Sequence, residues 1–361
     1  MNFVISISIL SFLLAFLASK KRSKYGLELC FILLTFIGAI HYMYGNDYLN
    51  YMLMFEDANY LTFTKESLYA FFRDPGWIFL CFLFRPLGFF ALVIFLNIVQ
   101  NYIYYRIIKI QVERKWWWLA VFIYVFTTNL YLLNFSMMRQ GLAISLIIAS
   151  FFLMEYRRYV IVAALVIFAS FIHSTSIVAV LFLLVMPFLK NIRLLLSVYV
   201  TIFLLLFIVG DSVYSFFMQL SLTDSLNEYS SLYYKEETSI QLGIGFLIDI
   251  TTLFVIIIVS FKNTHIPLKY IHLAGYFSLS YILLPLQSVN MMIGRLGYYF
   301  SVSSLVAIPY FYGYLKKEPK IILLSLFLLI TVYRYYLFFT VGAFAESYSK
   351  PFTTIFDVPW R

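Results

Sequence analysis

Charged side chains are scarce in this sequence. Asp, Glu, Lys and Arg make up 12% of its 361 residues, about half of the ~25% usual in globular chains. That is too little charge to cover a water-facing surface, which excludes a soluble enzyme. Acids are scarcer than bases, 17 against 26, leaving a net charge of +9. The excess does not indicate nucleic acid, because the basic residues fall in short clusters between apolar runs, where a membrane protein carries them in its cytoplasmic loops. There are only two cysteines, Cys30 and Cys81. Both lie in apolar segments with no CxxC or Cys/His spacing, so neither a zinc site nor redox chemistry is implied. Internal repeats and low-complexity tracts are absent as well. What the chain has in quantity is apolar surface: 63% hydrophobic and 21% aromatic residues, with a mean hydropathy of +0.89. These proportions describe a polytopic membrane protein.

A bilayer-spanning helix needs about 20 mostly apolar residues. Such runs lie near 2–18, 27–43, 77–108, 116–133, 137–154, 159–172, 174–189, 193–209, 242–261, 269–287, 294–314 and 320–341, about twelve in all. The expected fold is all-α, with residues 1–361 forming a single integral membrane domain. The first run has no basic n-region and no A-x-A site, and Lys20, Lys21, Arg22 and Lys24 follow it directly, so it reads as a retained anchor. The third run is too long for one straight span. Arg85-Pro86 interrupts it, so residues 76–86 are expected to dip into the membrane ahead of the main helix.

Orientation follows from the Lys/Arg bias of short loops. Placing the clusters 20–24, 106–115, 157–158, 190–193, 262–269 and 316–320 in the cytoplasm puts seventeen of the 26 basic residues there. Most acids then lie outside, including Asp47, Glu56, Asp57, Asp74, Asp224, Glu236 and Glu237, together with both termini. Every cytoplasmic loop is about ten residues or fewer, so a nucleotide-binding domain has no room on that side. Chemistry must face outward or lie in the membrane. The two long hydrophilic segments, 44–75 and 210–241, are both extracytoplasmic, and loops of this length are usually functional.

Ionisable side chains are costly at the membrane centre and cheaper toward the interface, so each one needs a reason. Arg139 opens the fifth run in Asn134-Phe-Ser-Met-Met-Arg139-Gln140-Gly141. His173 lies between two apolar runs in Phe171-Ile172-His173-Ser174, and Arg295 opens the eleventh in Gly294-Arg295-Leu-Gly-Tyr-Tyr299-Phe300. In this topology all three are at the outer boundary. Three cationic or cationisable groups at one depth suit an anion anchored in the outer leaflet, and arginine's planar fork holds phosphate oxygens bidentately. A single arginine here is equally well served by snorkelling or by pairing with an outer-loop acid, and a lone histidine by a hydrogen bond at a helix break. Asp249 and Arg334 read as a buried structural pair. Asp47 follows Gly45, which permits a tight turn that presents the carboxylate to an outer cavity. Tyr48, Tyr51 and Phe55 recur at helical spacing, giving either a sugar-stacking face or an aromatic interfacial belt.

In their order, these segments resemble the EpsG family, which is related to the Wzy-type O-antigen and exopolysaccharide polymerases of bacteria. The matching pieces are Gly45-Asn-Asp47 with Tyr51 and Phe55, Met138-Arg139-Gln140-Gly-Leu-Ala143, Phe171-Ile-His173-Ser174, and Arg295-Leu-Gly-Tyr-Tyr299-Phe300. They cover about residues 40–310. The resemblance implies a GT-C-like glycosyltransferase of the bacterial plasma membrane that joins undecaprenyl-pyrophosphate-linked oligosaccharide repeats at the outer face and releases undecaprenyl pyrophosphate. It implies Arg139 and Arg295 on the pyrophosphate, Asp47 or His173 orienting or deprotonating the acceptor hydroxyl, and Gln140, Tyr48, Tyr51 and Tyr299 near the substrate. It implies no cofactor and no metal, in keeping with a sequence that has no Asp-x-Asp signature. Its partners would be the lipid-linked oligosaccharide, membrane lipid, and a chain-length regulator and flippase. A lipid-linked oligosaccharide flippase, another transporter and an O-antigen ligase are the competing readings.

Overall fold

The computed structural model describes residues 2–58, 74–185, 201, 244–263, 265–287, 291–341 and 345–357. The run 193–209, apart from Thr201, the cluster 190–193 and the segment 210–241 lie outside them, as do residues 59–73 of the first long loop. The described chain is almost entirely helical, its one sheet being a two-residue pairing. Among the described residues four helices are long and apolar enough to cross a membrane: Asn2–Ser19, Phe89–Gln111, Met138–Glu155 and Lys317–Thr340. The chain forms two compact units, one of Met1–Ile177 with Thr331–Arg361 and one of Val178–Ile330.

In the first unit, α1 (Asn2–Ser19) and α2 (Gly26–Ile40) form a hairpin through the basic segment 20–24. A Cβ on Gly26 would stand 2.6 Å from the Leu14 carbonyl oxygen, so only glycine allows this approach. Further along come α3 (Tyr48–Ala58), α4 (Pro75–Phe84), α5 (Phe89–Gln111), α6 (Trp117–Phe126), the short α7 (Leu133–Ser136), α8 (Met138–Glu155) and α9 (Tyr159–Ile172), while α10 (Ile177–Val185) belongs to the second unit from Val178 onward. The long third run is broken as its Arg85-Pro86 suggested. Residues 85–87 form a 3₁₀ turn, Gly88 takes φ 85°, and α5 starts afresh at Phe89. At ten residues, α4 is about 15 Å long, half of a ~30 Å hydrocarbon core. The fourth run likewise ends as a helix at Phe126.

The helices of this unit share two distinct ends. At one, Lys109 pairs with Glu28 at 2.7 Å, and Arg114 donates to the carbonyls of Ala18 and Ser23 at 2.9 and 3.3 Å. At the other, β1 (His41–Tyr42) pairs antiparallel with β2 (Thr353–Thr354), and Phe3 stacks on Phe352. Tyr44 donates to the Tyr348 carbonyl at 3.0 Å, while the Tyr348 hydroxyl donates to that of Leu132 at 3.1 Å. An aromatic cluster therefore closes the end opposite Lys109 and Arg114. Rings with one polar tip suit such a boundary, where hydrocarbon meets a hydrogen-bonding layer.

The second unit contains α11 (Ile244–Lys262), α12 (Leu268–Gln287), α13 (Met291–Ser301), α14 (Ser304–Gly313) and the first part of α15 (Lys317–Thr340). Its packing is again aromatic: Tyr270 stacks on Tyr310 at 3.4 Å and Tyr276 meets Phe300 edge-on at 4.9 Å. The eleventh run is not one helix. Ser301 and Ser303 donate back to the carbonyls of Tyr298 and Phe300, a local competition with the helix ladder that bends or ends it.

Candidate functional site

Arg139 is the second residue of α8, in the first turn of an 18-residue helix. A cation at a helix N-terminus opposes the macrodipole, whereas an anion there is stabilised. The position is therefore unfavourable for an unaccompanied arginine and favourable for an arginine that holds an anion. Such an anion is present within the protein. The Arg139 guanidinium lies 2.7 Å from an Asp74 carboxylate oxygen, with the arginine side chain 22% exposed and the aspartate 7%. Asp74 is thus the acid whose pairing the sequence left open.

Asp74 precedes Pro75 and occupies the N-cap position of α4. Asp before a helix-initiating proline ordinarily caps the helix with its carboxylate, but here the side chain makes no such bond. One oxygen faces Arg139 and the other accepts the backbone N–H of Ser174 at 3.1 Å. One carboxylate thus ties together the starts of α4 and α8 and the turn after α9. Gly76 makes this approach possible, since a Cβ there would lie 2.9 Å from the Phe171 backbone. The guanidinium also lies 5.5 Å from the centre of the Tyr51 ring, which meets Trp77 edge-on at 5.3 Å. Burial pushes the Tyr51 phenol up, and the charge and hydrogen bond of Arg139 act against that rise.

His173 ends α9 and begins the 3₁₀ turn Ser174–Ser176, with Nδ1 3.0 Å from the Thr175 hydroxyl. Asp47 precedes α3 and its carbonyl accepts the Tyr51 N–H at 3.0 Å. Its side chain is half-buried. The turn predicted at Gly45 is present: φ is 103°, and a Cβ would stand 2.3 Å from the Phe135 carbonyl oxygen. Gln140 is buried beside Arg139 in sequence. Tyr48, Tyr51 and Phe55 do form one helical face, and it is buried, with Tyr48 and Phe55 both against Phe89. The Tyr48 hydroxyl has no hydrogen-bond partner among the described residues.

The first unit therefore brings Arg139, Tyr51 and the His173–Ser174 turn around Asp74. Arg295 and Tyr299 belong to the second unit, on α13, with Arg295 half-buried and Tyr299 fully buried. Asp249 is on α11 of that unit, whereas Arg334 falls in the part of α15 assigned to the first. The residue that sequence reasoning passed over is Asp74. Its signal was the Asp-Pro-Gly run at a helix start, which reads as a cap until the partner 65 positions away is known. Chemically the arrangement is a fixed, partly desolvated guanidinium at a positive helix end, its orientation set by one carboxylate.

A sequence model described as the EpsG family matches residues 24–354. No curated protein and no solved structure matches the chain. The family match runs over nearly the whole length and includes Arg139, the His173–Ser174 turn and Arg295, so the chain belongs to the EpsG family.

Proposed function

We propose that this protein is a polysaccharide polymerase that joins undecaprenyl-pyrophosphate-linked oligosaccharide repeats at the outer face of the bacterial plasma membrane. Membership of a family of polymerase-type membrane glycosyltransferases supports the reaction class. The observation that carries the site is the Asp74–Arg139 pair at the start of α8. A guanidinium already oriented by a carboxylate, at the helix end that favours anions, is suited to receive a departing pyrophosphate.

In this reading the acceptor's sugar hydroxyl attacks the anomeric carbon of the donor chain. The new C–O bond forms as the bond to pyrophosphate oxygen breaks, and undecaprenyl pyrophosphate leaves on Arg139 and Arg295, which act in place of a divalent ion. The hydroxyl proton passes to Asp47 or His173. Tyr51, lying against Arg139, and Gln140 contact the sugar nearest the phosphate, while the buried Tyr48 and Tyr299 support the two arginine-bearing regions. Because pyrophosphate is a good leaving group, positioning and electrostatics contribute more than a strong base.

The test is elongation by the purified protein of a purified lipid-linked repeat unit. A ladder of lengthening chains with release of undecaprenyl pyrophosphate supports polymerisation. Translocation of the lipid without elongation, or transfer only to a lipid A core acceptor, would replace it with the flippase or ligase reading.

A further inference from the structure

A second feature of the first unit lies on a different face, between α2 and α5. These helices run antiparallel and touch closely at Gly38, whose missing Cβ leaves room for the Asn97 amide. Beside that contact they leave an open groove of about 550 Å³ whose walls are almost wholly apolar. Ile32 and Phe36 form one wall and Ile98 and Tyr102 the other, each at least half exposed. The α2 lining runs from Glu28 to Ala39, about 16 Å of helix at 1.5 Å per residue. One leaflet of a ~30 Å hydrocarbon core is about the same depth. The groove therefore has the length of a lipid chain in a single leaflet, and it opens on a helix surface of a membrane protein.

Its charge is one-sided. At the Glu28 end, Lys109 donates to Glu28 Oε1 and to the Tyr105 hydroxyl, which leaves the third ammonium N–H available. Arg106 is exposed one turn after Tyr102 and has no acidic partner among the described residues. Lys20, Lys21, Arg22 and Lys24 lie just before α2. The acids in this region are already committed: Glu113 faces Lys115, Glu28 Oε1 is taken, and Glu28 Oε2 is buried. A lipid cation such as choline finds no uncommitted carboxylate here, whereas a phosphate finds two cationic donors. Basic pockets between transmembrane helices are a recurring form of anionic-lipid site.

We propose that the α2–α5 groove binds one anionic phospholipid from the leaflet at the basic end. An acyl chain lies along Ile32, Phe36, Ile98 and Tyr102, and the phosphate is held by Lys109 and Arg106. This site is independent of the Arg139 region and of the reaction proposed there.

The experiment is native mass spectrometry of the full chain, stripped of lipid in detergent and titrated with phosphatidylglycerol or with phosphatidylcholine of the same acyl chains. One retained phosphatidylglycerol, held at least about 10-fold more tightly than phosphatidylcholine, is expected. Arg106→Gln, an exposed change, should weaken it about 5-fold, the effect of losing one cation near the headgroup. Ile98→Trp should fill the groove and abolish retention. Ile32→Trp on the opposite wall provides the same readout if the first variant does not fold. Equal retention of the two lipids, no retention of either, or phosphatidylglycerol binding unchanged in Arg106→Gln and the groove-filling variant would each overturn the proposal.

Discussion

Asp74 and Arg139, 65 positions apart in sequence, lie 2.7 Å from each other, with the aspartate almost fully buried and its second oxygen on the Ser174 N–H. Removing one member of such a pair leaves the other charge desolvated without its partner, a loss of about 3–5 kcal/mol. Asp74→Ala should fall at the lower end, about 3 kcal/mol, because the arginine is 22% exposed. Asp74→Asn should lose less, since the amide oxygen still accepts from Ser174. Unfolding in detergent, combined with Arg139→Gln in a double-mutant cycle, measures the coupling, expected at about 1–3 kcal/mol. Additive losses would mean that the pair carries no energy of its own.

The catalytic prediction concerns the same guanidinium. Arg139→Ala and Arg295→Ala should each lower polymer formation by ~2–4 kcal/mol of transition-state stabilisation, by analogy with loss of an oxyanion donor. Lysine should restore only part of it, being a point charge without the planar fork. Arg139→Lys must also be compared for folded yield, because the change disturbs the Asp74 contact as well. Wild-type ladders and rates from folded alanine variants would remove both arginines from the site.

These two residues mark how far the sequence could be read. Arg139 stood out as a cation at a span boundary, and Gly45 as a turn, because both depend on neighbours within a few positions. Asp74 did not stand out: its role rests on contacts to residues 65 and 100 positions away, and its local pattern reads as a helix cap. The Tyr48, Tyr51 and Phe55 periodicity gave the helix correctly, yet periodicity cannot tell which surface the stripe meets, and here it meets Phe89 and Trp77. Arg85-Pro86 was enough to divide the third run. The division of the eleventh was hidden because its serines act through side-chain bonds to the backbone, not through a proline at the break.

Two glycines should respond in opposite ways to alanine. Gly45 combines a positive φ with a Cβ position 2.3 Å from the Phe135 carbonyl, so Gly45→Ala should destabilise by about 2 kcal/mol or more. Gly297, inside α13, has ordinary 3.7 Å neighbours at Leu283 and the Ser280 carbonyl. Gly297→Ala should be neutral or stabilising by up to about 1 kcal/mol from helix propensity. Melting temperatures in one detergent compare them directly, and equal losses would contradict the geometry.

Orientation is testable with the native cysteines in place, since Cys30 and Cys81 are both buried. Asn50→Cys on α3 and Lys24→Cys in the basic segment are both exposed positions. With the basic segments in the cytoplasm, a membrane-impermeant maleimide applied to intact cells should label Asn50→Cys and spare Lys24→Cys until the membrane is opened. The reverse pattern would place the Arg139 region in the cytoplasm, where a lipid-linked donor on the outer leaflet is out of reach.

The final prediction separates chemistry from structure at Asp47 and His173. His173 already serves the local fold, because its Nδ1 meets the Thr175 hydroxyl at the end of α9 and the next residue's N–H is bound by Asp74. A purely structural histidine would lower folded yield as His173→Ala, and His173→Gln would restore it by supplying another polar partner for Thr175. A proton acceptor behaves differently, because its contact strengthens as the bond to the anomeric carbon forms. Its removal should depress turnover and leave donor binding nearly intact, whereas loss of Arg139 should affect both. Asp47→Asn and His173→Gln are therefore to be compared for donor affinity and for elongation rate in purified protein. A drop in rate of roughly 100-fold or more in one variant, at unchanged affinity, would assign it the acid-base role. Near-normal rates in both would leave electrostatic binding of the pyrophosphate as the main source of catalysis.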